Sequence, residues 1–342
     1  MTAPRFGLRI PPCRSATEVA GFVRRTEEAG FDIAWLPDSQ FLWRDVWATL
    51  ATCATATSSI RLGTCVTNFE TRHPSVTAAA VGTLDEVAPG RIILGVGTGD
   101  SSIKTLGLKP TRLDQMRARI ELVRTLLRGD EADFDGRAMR LEVTPRRAAP
   151  IYMAANAPKA LALAGELCDG VIMLPGLEPE LIRAALDTVG AGAARAGRSL
   201  DALDICVGAI CHVTDDEREA ARIVKPYVVA IAQTGGQEAL RTAGIEVEVP
   251  PVVGGIYPDM SHAKDWEAAA DAADEWVTDE TAMRYASTFC LVGTADYCAE
   301  RLARAAEAGA TSFYIRHVSS YTLPEAVLQA YADAVIPSFS SS

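Results

Sequence analysis

Short runs of apolar and β-branched residues alternate along the chain with longer segments in which apolar residues recur every three or four positions. The short runs predict strands and the longer segments predict amphipathic helices. After the first run, Ser15 and Glu18 have the spacing of a capping box and predict the start of a helix, which Gly30 ends. The pattern repeats and predicts eight strands, at residues 6–10, 32–36, 60–67, 91–95, 151–155, 170–174, 204–213 and 312–316.

Strands that are each followed by a helix predict a parallel sheet. The fourth run has three consecutive apolar residues, Ile92, Ile93 and Leu94, as expected for a strand that is covered on both faces. Eight such units predict an α/β fold, a closed (β/α)₈ TIM barrel. An open, doubly wound sheet is the alternative, but no G-x-G-x-x-G motif follows its first strand.

Two segments depart from the alternation. Residues 131–143 predict a small hairpin, with Asp135 and Gly136 at its turn. Residues 216–288 are mostly helical in pattern and predict an insertion after strand seven. Because a typical barrel needs about 250 residues, we expect residues 1–342 to form a single domain that carries this insertion.

Composition and charge disfavour some classes of binding partner. The chain has 342 residues and a net charge of −11, which disfavours binding to nucleic acid or to anionic membranes. No apolar stretch is long enough for a membrane helix, and the N-terminus does not have the pattern of a signal peptide. The eight cysteines form no C-x-x-C pair, which is typical of a reducing compartment. We therefore expect a cytoplasmic protein.

Active sites of TIM barrels lie at the carboxyl ends of the strands, where this chain has polar and small residues. The turn of residues 95–100, Gly-Val-Gly-Thr-Gly-Asp, can approach a flat ring or a phosphate closely, but it also suits a plain tight turn. Asn156-Ala157-Pro158 begins a helix directly after strand five. The amides there suit a phosphate, although simple capping explains the same residues.

Other catalytic classes lack their motifs. The four histidines have no metal-ligand spacing, so we expect no metal site. Neither a G-x-S-x-G motif nor a P-loop is present. Trp43 lies near the end of strand two, where it either packs in the interior or covers a planar ring.

Several stretches resemble the bacterial-luciferase-like superfamily, and in particular the coenzyme F420-dependent methylenetetrahydromethanopterin reductases. These stretches are RLGTCVTN at residues 61–68, TRHP at 71–74, TLDE at 83–86 and LGVGTGD at 94–100. The resemblance extends over residues 6–337. It implies a barrel with an insertion after strand seven and a deazaflavin cofactor, with FMN as the alternative cofactor.

The resemblance also implies roles for individual residues. It implies a non-prolyl cis peptide between Cys65 and Val66, behind the cofactor ring. The residues that it assigns to the cofactor are Asp38, Cys65, Val66, Asn68, Thr98, Gly99, Ala155, Asn156 and Ala157. Asp100 is the preferred candidate acid and Asp38 the second catalytic candidate, although Asp100 equally suits capping of the next helix.

The substrate side departs from the resembled families. Arg9 replaces the acidic residues at the end of strand one in the methanopterin reductases, and Ser39 replaces the histidine of the sugar-phosphate dehydrogenases. Neither substrate is therefore carried over. Arg9 either suits an anionic substrate or pairs with Asp38, and we expect Arg9, Trp43 and His317 to contact the substrate.

Three functions follow from the resemblance. The first is an F420-dependent oxidoreductase that transfers a hydride between the deazaflavin and a small organic substrate. The alternatives are a monooxygenase that uses reduced FMN from a separate reductase, and a non-catalytic flavin-binding relative. The resemblance also implies a homodimer that pairs through the second and third helices of the barrel.

Overall fold

Eight parallel strands close into a barrel in the computed structural model, which describes residues 3–145 and 147–340. Arg146 and the two residues at each end of the predicted domain lie outside the described residues. The barrel strands are β1 (Arg5–Arg9), β2 (Ile33–Leu36), β3 (Arg61–Thr64), β4 (Ile92–Val96), β7 (Ile151–Ala154), β8 (Gly170–Met173), β9 (Asp204–Val213) and β11 (Ser312–His317). The predicted TIM barrel is confirmed.

The barrel closes because β9 pairs with β8 on one side and β11 on the other, while β11 also pairs with β1. The alternative of an open sheet is therefore wrong. β9 is ten residues long and extends past β8. Its final residues pair in parallel with an additional strand, β10 (Cys290–Gly293).

Helices cover the outside of the barrel and fill the interval between β9 and β10. They are α1 (Ala16–Glu28), α2 (Val46–Ala56), α3 (Pro74–Val87), α4 (Ser101–Lys104), α5 (Leu113–Leu127), α6 (Pro158–Leu167), α7 (Pro179–Arg195), α8 (Glu217–Gln233), α9 (Gln237–Thr242), α10 (Trp266–Ala273), α11 (Asp279–Phe289), α12 (Ala295–Glu307), α13 (Glu325–Ala330) and α14 (Ile336–Ser340). Within the described ranges, none of them combines the length and apolar character that crossing a membrane requires.

Local sequence signals explain two of these features. The Ser15 hydroxyl accepts the Glu18 amide at 3.3 Å and the Glu18 carboxylate accepts the Ser15 amide at 3.0 Å, so the predicted capping box is confirmed. The predicted hairpin is present as β5 (Ala132–Phe134) and β6 (Arg137–Met139). Both of its turn residues have positive φ, 53° and 72°, as a type I′ turn requires.

The helices α8, α10 and α11 form a second apolar cluster above the barrel. α8 packs against α10 and α11, with Tyr227 and Trp266 in ring contact at 4.9 Å. Trp266 also donates from its indole nitrogen to the Ile223 carbonyl. Because β10 pairs with β9, both ends of this segment are attached to the same strand.

The barrel interior holds an inner apolar cluster that packs around the fully buried indole of Trp35, with Ile33, Ile93, Tyr152 and Cys206 among its members. A Cβ atom on Gly7 would lie 2.4 Å from the Trp35 Nε1, and one on Gly63 would lie 2.3 Å from its Cζ3. The neighbouring strands therefore carry glycine where the indole crosses them. The ring packs against Tyr152 at 5.9 Å between centroids.

We predict that Gly63→Ala lowers the free energy of unfolding by about 1–3 kcal/mol, because the added methyl overpacks the core against Trp35. Gly21→Ala is the matched control, since a Cβ on this α1 glycine has no neighbour within 4 Å. The control should raise helix stability by roughly 0.5–1 kcal/mol. Chemical denaturation measures both, and equal effects would contradict this account of Trp35.

Candidate active site

A cavity of about 700 Å³ opens at the carboxyl ends of the strands, next to the inner apolar cluster. Its volume is in the range of small-molecule and cofactor sites. Cys65, Ile172 and Tyr314 belong to the inner apolar cluster and also form part of its wall. The predicted site residues that line it are Arg9, Asp38, Trp43, Cys65, Val66, Asn68, Thr98, Gly99, Asp100, Ala155, Asn156 and Ala157.

The turn after β3 forms one wall of this cavity. The peptide bond between Cys65 and Val66 is cis, as the family resemblance implies. The Val66 side chain lies against the turn after β4, where a Cβ on Gly97 would be only 2.7 Å from the Val66 Cγ2. The Thr67 amide donates to the Gly95 carbonyl at the end of β4, and the Thr67 carbonyl accepts the Gly97 amide. These two hydrogen bonds hold the β3 turn against β4 and its turn.

Asn68 continues this wall and is 2 % exposed. Its Oδ1 accepts the amides of Glu70 and Thr71, each at 2.9 Å, and its Nδ2 donates to the Ser102 hydroxyl at 3.0 Å. The side chain therefore joins the β3 turn to helix α4. Its place at the cavity agrees with a cofactor contact, and its hydrogen bonds assign it a positioning role as well.

Asp38 follows β2 and presents a buried carboxylate to the cavity. Its Oδ2 accepts the Thr67 hydroxyl at 2.7 Å and Arg72 Nη1 at 2.8 Å. Among the described residues, none donates to Oδ1. Burial raises the pKa of the Asp38 carboxyl, although the Thr67 hydrogen bond and the Arg72 charge oppose this shift.

Arg72 connects Asp38 to the start of α2. Its Nη2 pairs with the carboxylate of Asp45, whose other oxygen caps α2 by accepting the Ala48 amide at 2.9 Å. A single guanidinium therefore balances the charge of Asp38 and fixes the helix that follows β2. The Asp38–Arg9 pair that the sequence left open is not formed among the described residues, and the cation that pairs with Asp38 is Arg72.

Backbone amides are exposed at the start of α6, next to the cavity. The side chain of Asn156 accepts the Leu174 amide at 2.7 Å, which joins the ends of β7 and β8. Within the described chain, the amides of Asn156 and Ala157 donate to no other group. Pro158 begins the helix without a side-chain cap, so these amides are available to an anion.

The glycine turn after β4 is shaped partly by internal packing. Gly99 has φ of +99°, and a Cβ there would lie 2.6 Å from Ile103. Asp100 precedes α4 but makes no side-chain capping bond. Its carboxylate is 66 % exposed and pairs with Lys104 at 2.5 Å. Asp100 therefore lies at the rim of the cavity, whereas Asp38 lies inside it.

His317 does not reach the cavity, contrary to the sequence expectation. Successive side chains of β11 point to opposite faces, so Tyr314 and Arg316 face the interior and His317 faces away. His317 instead hydrogen-bonds Thr322 at 3.0 Å. Burial, together with the charges of Arg9 and Arg316, lowers the pKa of His317 to about 4.

Sequence reasoning gave no role to Arg316, Tyr314 or His262, all of which line the cavity. The strand period of two, counted from Tyr314, was the signal that could have identified Arg316. His262 comes from the segment between β9 and β10, and its ring lies 6.2 Å from that of Trp43. No such signal existed for His262. No metal-binding cluster of His, Cys, Asp or Glu occurs in the described part of the chain.

Comparisons with known proteins agree with this arrangement. Residues 2–312 match the family described as luciferase-like monooxygenase. The chain belongs to this family. The resemblance inferred from the strand-end motifs is therefore confirmed.

Two relatives of known name illustrate the activities found among similar proteins. The 5,10-methylenetetrahydromethanopterin reductase of Archaeoglobus fulgidus is 33 % identical over 319 residues, which cover 90 % of this chain and 91 % of that protein. The F420-dependent glucose-6-phosphate dehydrogenase of Nakamurella multipartita is 30 % identical over 304 residues, which cover 82 % of this chain and 85 % of that protein.

Solved structures share the architecture. The coenzyme F420-dependent tetrahydromethanopterin reductase from Methanopyrus kandleri has a TM-score of 0.77 and 25 % identity, and the match covers 99 % of this chain and 100 % of that one. An F420-dependent secondary alcohol dehydrogenase, solved with an F420–acetone adduct, has a TM-score of 0.76 at 20 % identity over 99 % of both chains. At that identity the second likeness shows the fold alone.

We predict that Arg72→Gln lowers the free energy of unfolding by about 2–4 kcal/mol at neutral pH, because the buried Asp38 carboxylate loses its cation. Without Arg72 the folded-state pKa of Asp38 rises further above its unfolded value. The loss is then largest above that pKa and shrinks as the pH falls through it.

A double-mutant cycle with Asp38→Asn and denaturation at several pH values measures this coupling. Additive losses that do not change with pH would show that the two side chains are independent.

Proposed function

We propose that this protein is a coenzyme F420-dependent oxidoreductase that transfers a hydride between the deazaflavin and a small organic substrate. The main observation behind this proposal is the set of residues that line the cavity. All nine residues that the family resemblance assigns to the cofactor, from Asp38 to Ala157, line this one space although they follow four different strands. Two relatives of the chain support the choice of F420 as the cofactor, since the dehydrogenase of Nakamurella and the reductase of Methanopyrus are both named as F420-dependent.

The residues present fit such a cofactor. The free amides of Asn156 and Ala157, at the positive end of the α6 dipole, suit the phosphate of its side arm. The wall of Cys65, Val66 and Gly97 is apolar and offers a surface for a flat ring. When bound, the deazaflavin supplies the two-electron redox chemistry, and the protein supplies binding, orientation and proton handling.

Asp38 is the best-placed group for the proton. Its Oδ1 has no described donor, its side chain is 6 % exposed, and burial raises the pKa of its carboxyl. A carboxyl with a raised pKa can exchange a proton nearer to neutral pH than an exposed one. Asp100, the other candidate acid, is solvent-exposed and paired with Lys104, so we assign the proton to Asp38.

We expect the purified protein to quench deazaflavin fluorescence with micromolar affinity and to leave FMN unbound. Asp38→Asn should keep that affinity but reduce turnover of F420 by about 10²–10⁴-fold, the usual contribution of general acid–base catalysis. The turnover assay uses the best substrate from a panel of alcohols and carbonyl compounds.

Asp100→Asn is the comparison in this experiment. A larger loss of turnover in Asp100→Asn than in Asp38→Asn would move the proton-transfer role to Asp100. A flat deazaflavin titration would overturn the proposal. FMN binding with oxygen consumption would instead support the monooxygenase, and cofactor binding without turnover across the panel would support a non-catalytic relative.

We further propose a homodimer that pairs through α2 and α3. Val76 and Val87 of α3 are 55 % and 42 % exposed, which places apolar surface on this side of the barrel. We predict that Val76→Asp converts the dimer to a monomer by light scattering, since a buried charge opposes association. Val252→Asp is the control, because Val252 is 76 % exposed on the segment between β9 and β10. A monomeric wild type would contradict the proposal.

We place the protein in the cytoplasm. All eight cysteines are free thiols, and seven of them are buried. Free, buried thiols are typical of proteins kept in a reducing compartment.

A further inference from the structure

Two arginine side chains of the cavity wall lack an acidic partner. Arg9, at the end of β1, is 3 % exposed, and Arg316 is near the end of β11. In the described ranges, neither guanidinium forms an ion pair with Asp or Glu. Nη1 of Arg9 and Nε of Arg316 are buried and have no hydrogen-bond partner there.

Aromatic rings and one carbonyl hold the two guanidinium groups in place. The Arg9 guanidinium lies 5.0 Å from the centre of the Trp43 ring, and the Arg316 guanidinium lies 5.2 Å from that of Tyr227. Arg316 also donates to the Ser261 carbonyl at 3.3 Å. These contacts orient the positive charges but do not neutralise them.

The acidic groups around the cavity already have other partners. Asp38 pairs with Arg72, and Asp100 pairs with Lys104. Asp259 pairs with His262 at 3.0 Å. The described residues therefore provide no carboxylate for Arg9 or Arg316.

An unpaired buried charge is costly, and two like charges on adjacent strands are more so. Burial and the nearby charge of Arg316 both lower the pKa of Arg9. An anion placed between the two groups would remove this cost. The planar fork of a guanidinium matches the oxygens of a carboxylate or a phosphoryl group.

The barrel order separates these arginines from the amides proposed for the cofactor phosphate. Those amides follow β7, whereas Arg9 ends β1. Around the barrel β1 and β7 are four strands apart in either direction, so they lie on opposite sides of the cavity. The arginine pair therefore faces the part of the cavity away from the cofactor phosphate.

We propose that Arg9 and Arg316 together bind an oxyanion group, a carboxylate or a phosphoryl group, on the substrate. The inference rests on the proposed function for the statement that the anion belongs to a substrate. It explains why a chain of net charge −11 keeps two cations without partners in one cavity. It also selects negatively charged alcohols or carbonyl compounds as the substrate class.

Calorimetry on the full chain, with and without deazaflavin, tests the anion site with inorganic phosphate and malonate as probes. We expect at least one probe to bind, and Arg9→Gln and Arg316→Gln each to weaken it by about 10- to 100-fold. Arg24→Gln is the matched control, because Arg24 lies on α1 with its side chain 61 % exposed. The probe that binds more tightly distinguishes a phosphorylated from a carboxylated substrate.

Arg9→Lys is the second variant, since it keeps the charge but loses the fork. We expect it to fold, to bind deazaflavin normally and to bind the anion more weakly than wild type. The KM of a carboxylated carbonyl compound should rise in Arg9→Lys relative to that of its uncharged methyl ester, with little change in kcat.

The outcomes separate the two proposals. Normal deazaflavin binding without anion binding overturns the arginine site and leaves the proposed function intact. Anion binding that depends on both arginines without deazaflavin binding supports the site and overturns the F420 assignment. An anion that competes with deazaflavin, or that binds Arg9→Gln as tightly as Arg24→Gln, overturns the arginine site.

Discussion

The barrel interior has to be filled, and the inner apolar cluster packs around one large side chain. The indole of Trp35 lies across the interior and requires glycine at residues 7 and 63, on the strands to either side. Because protein interiors are close-packed, this arrangement admits few substitutes. At the carboxyl ends of the strands this packing gives way to the cavity of about 700 Å³, where the turns are held by their own hydrogen bonds.

The buried charged side chains around the cavity fall into two groups. Around β2 and β3 each buried charge has a partner within the chain, as Asp38 has in Arg72. Around β1 and β11 the guanidinium groups of Arg9 and Arg316 contact aromatic rings and, for Arg316, one carbonyl, and neither has an acidic partner among the described residues. The first arrangement fixes a buried carboxylate at the cavity, and the second leaves positive charge without an acidic partner. The two sides of the cavity therefore differ in what they can bind.

Much of the fold was predictable from the sequence because each strand–helix unit carries a local signal. The capping box at Ser15 and the turn at Asp135 and Gly136 form as their sequences predict. The strand-end residues also meet as expected, since parallel strands end on one side of a barrel. The strand period of two places Tyr314 and Arg316 on one face of β11, but it does not say which face is inward, and His317 was chosen where Arg316 is the inward residue. His262 depends on distant packing that carries no local signal.

The tenth strand gives this architecture a modular character. Because β10 pairs with β9, the helical segment between them leaves the barrel and returns to it at the same strand. That segment supplies Tyr227, Ser261 and His262 to the cavity surroundings. Replacing this segment would therefore change the groups that contact Arg316 and Trp43, while Arg9, Arg316 and the residues proposed for the cofactor stay in place.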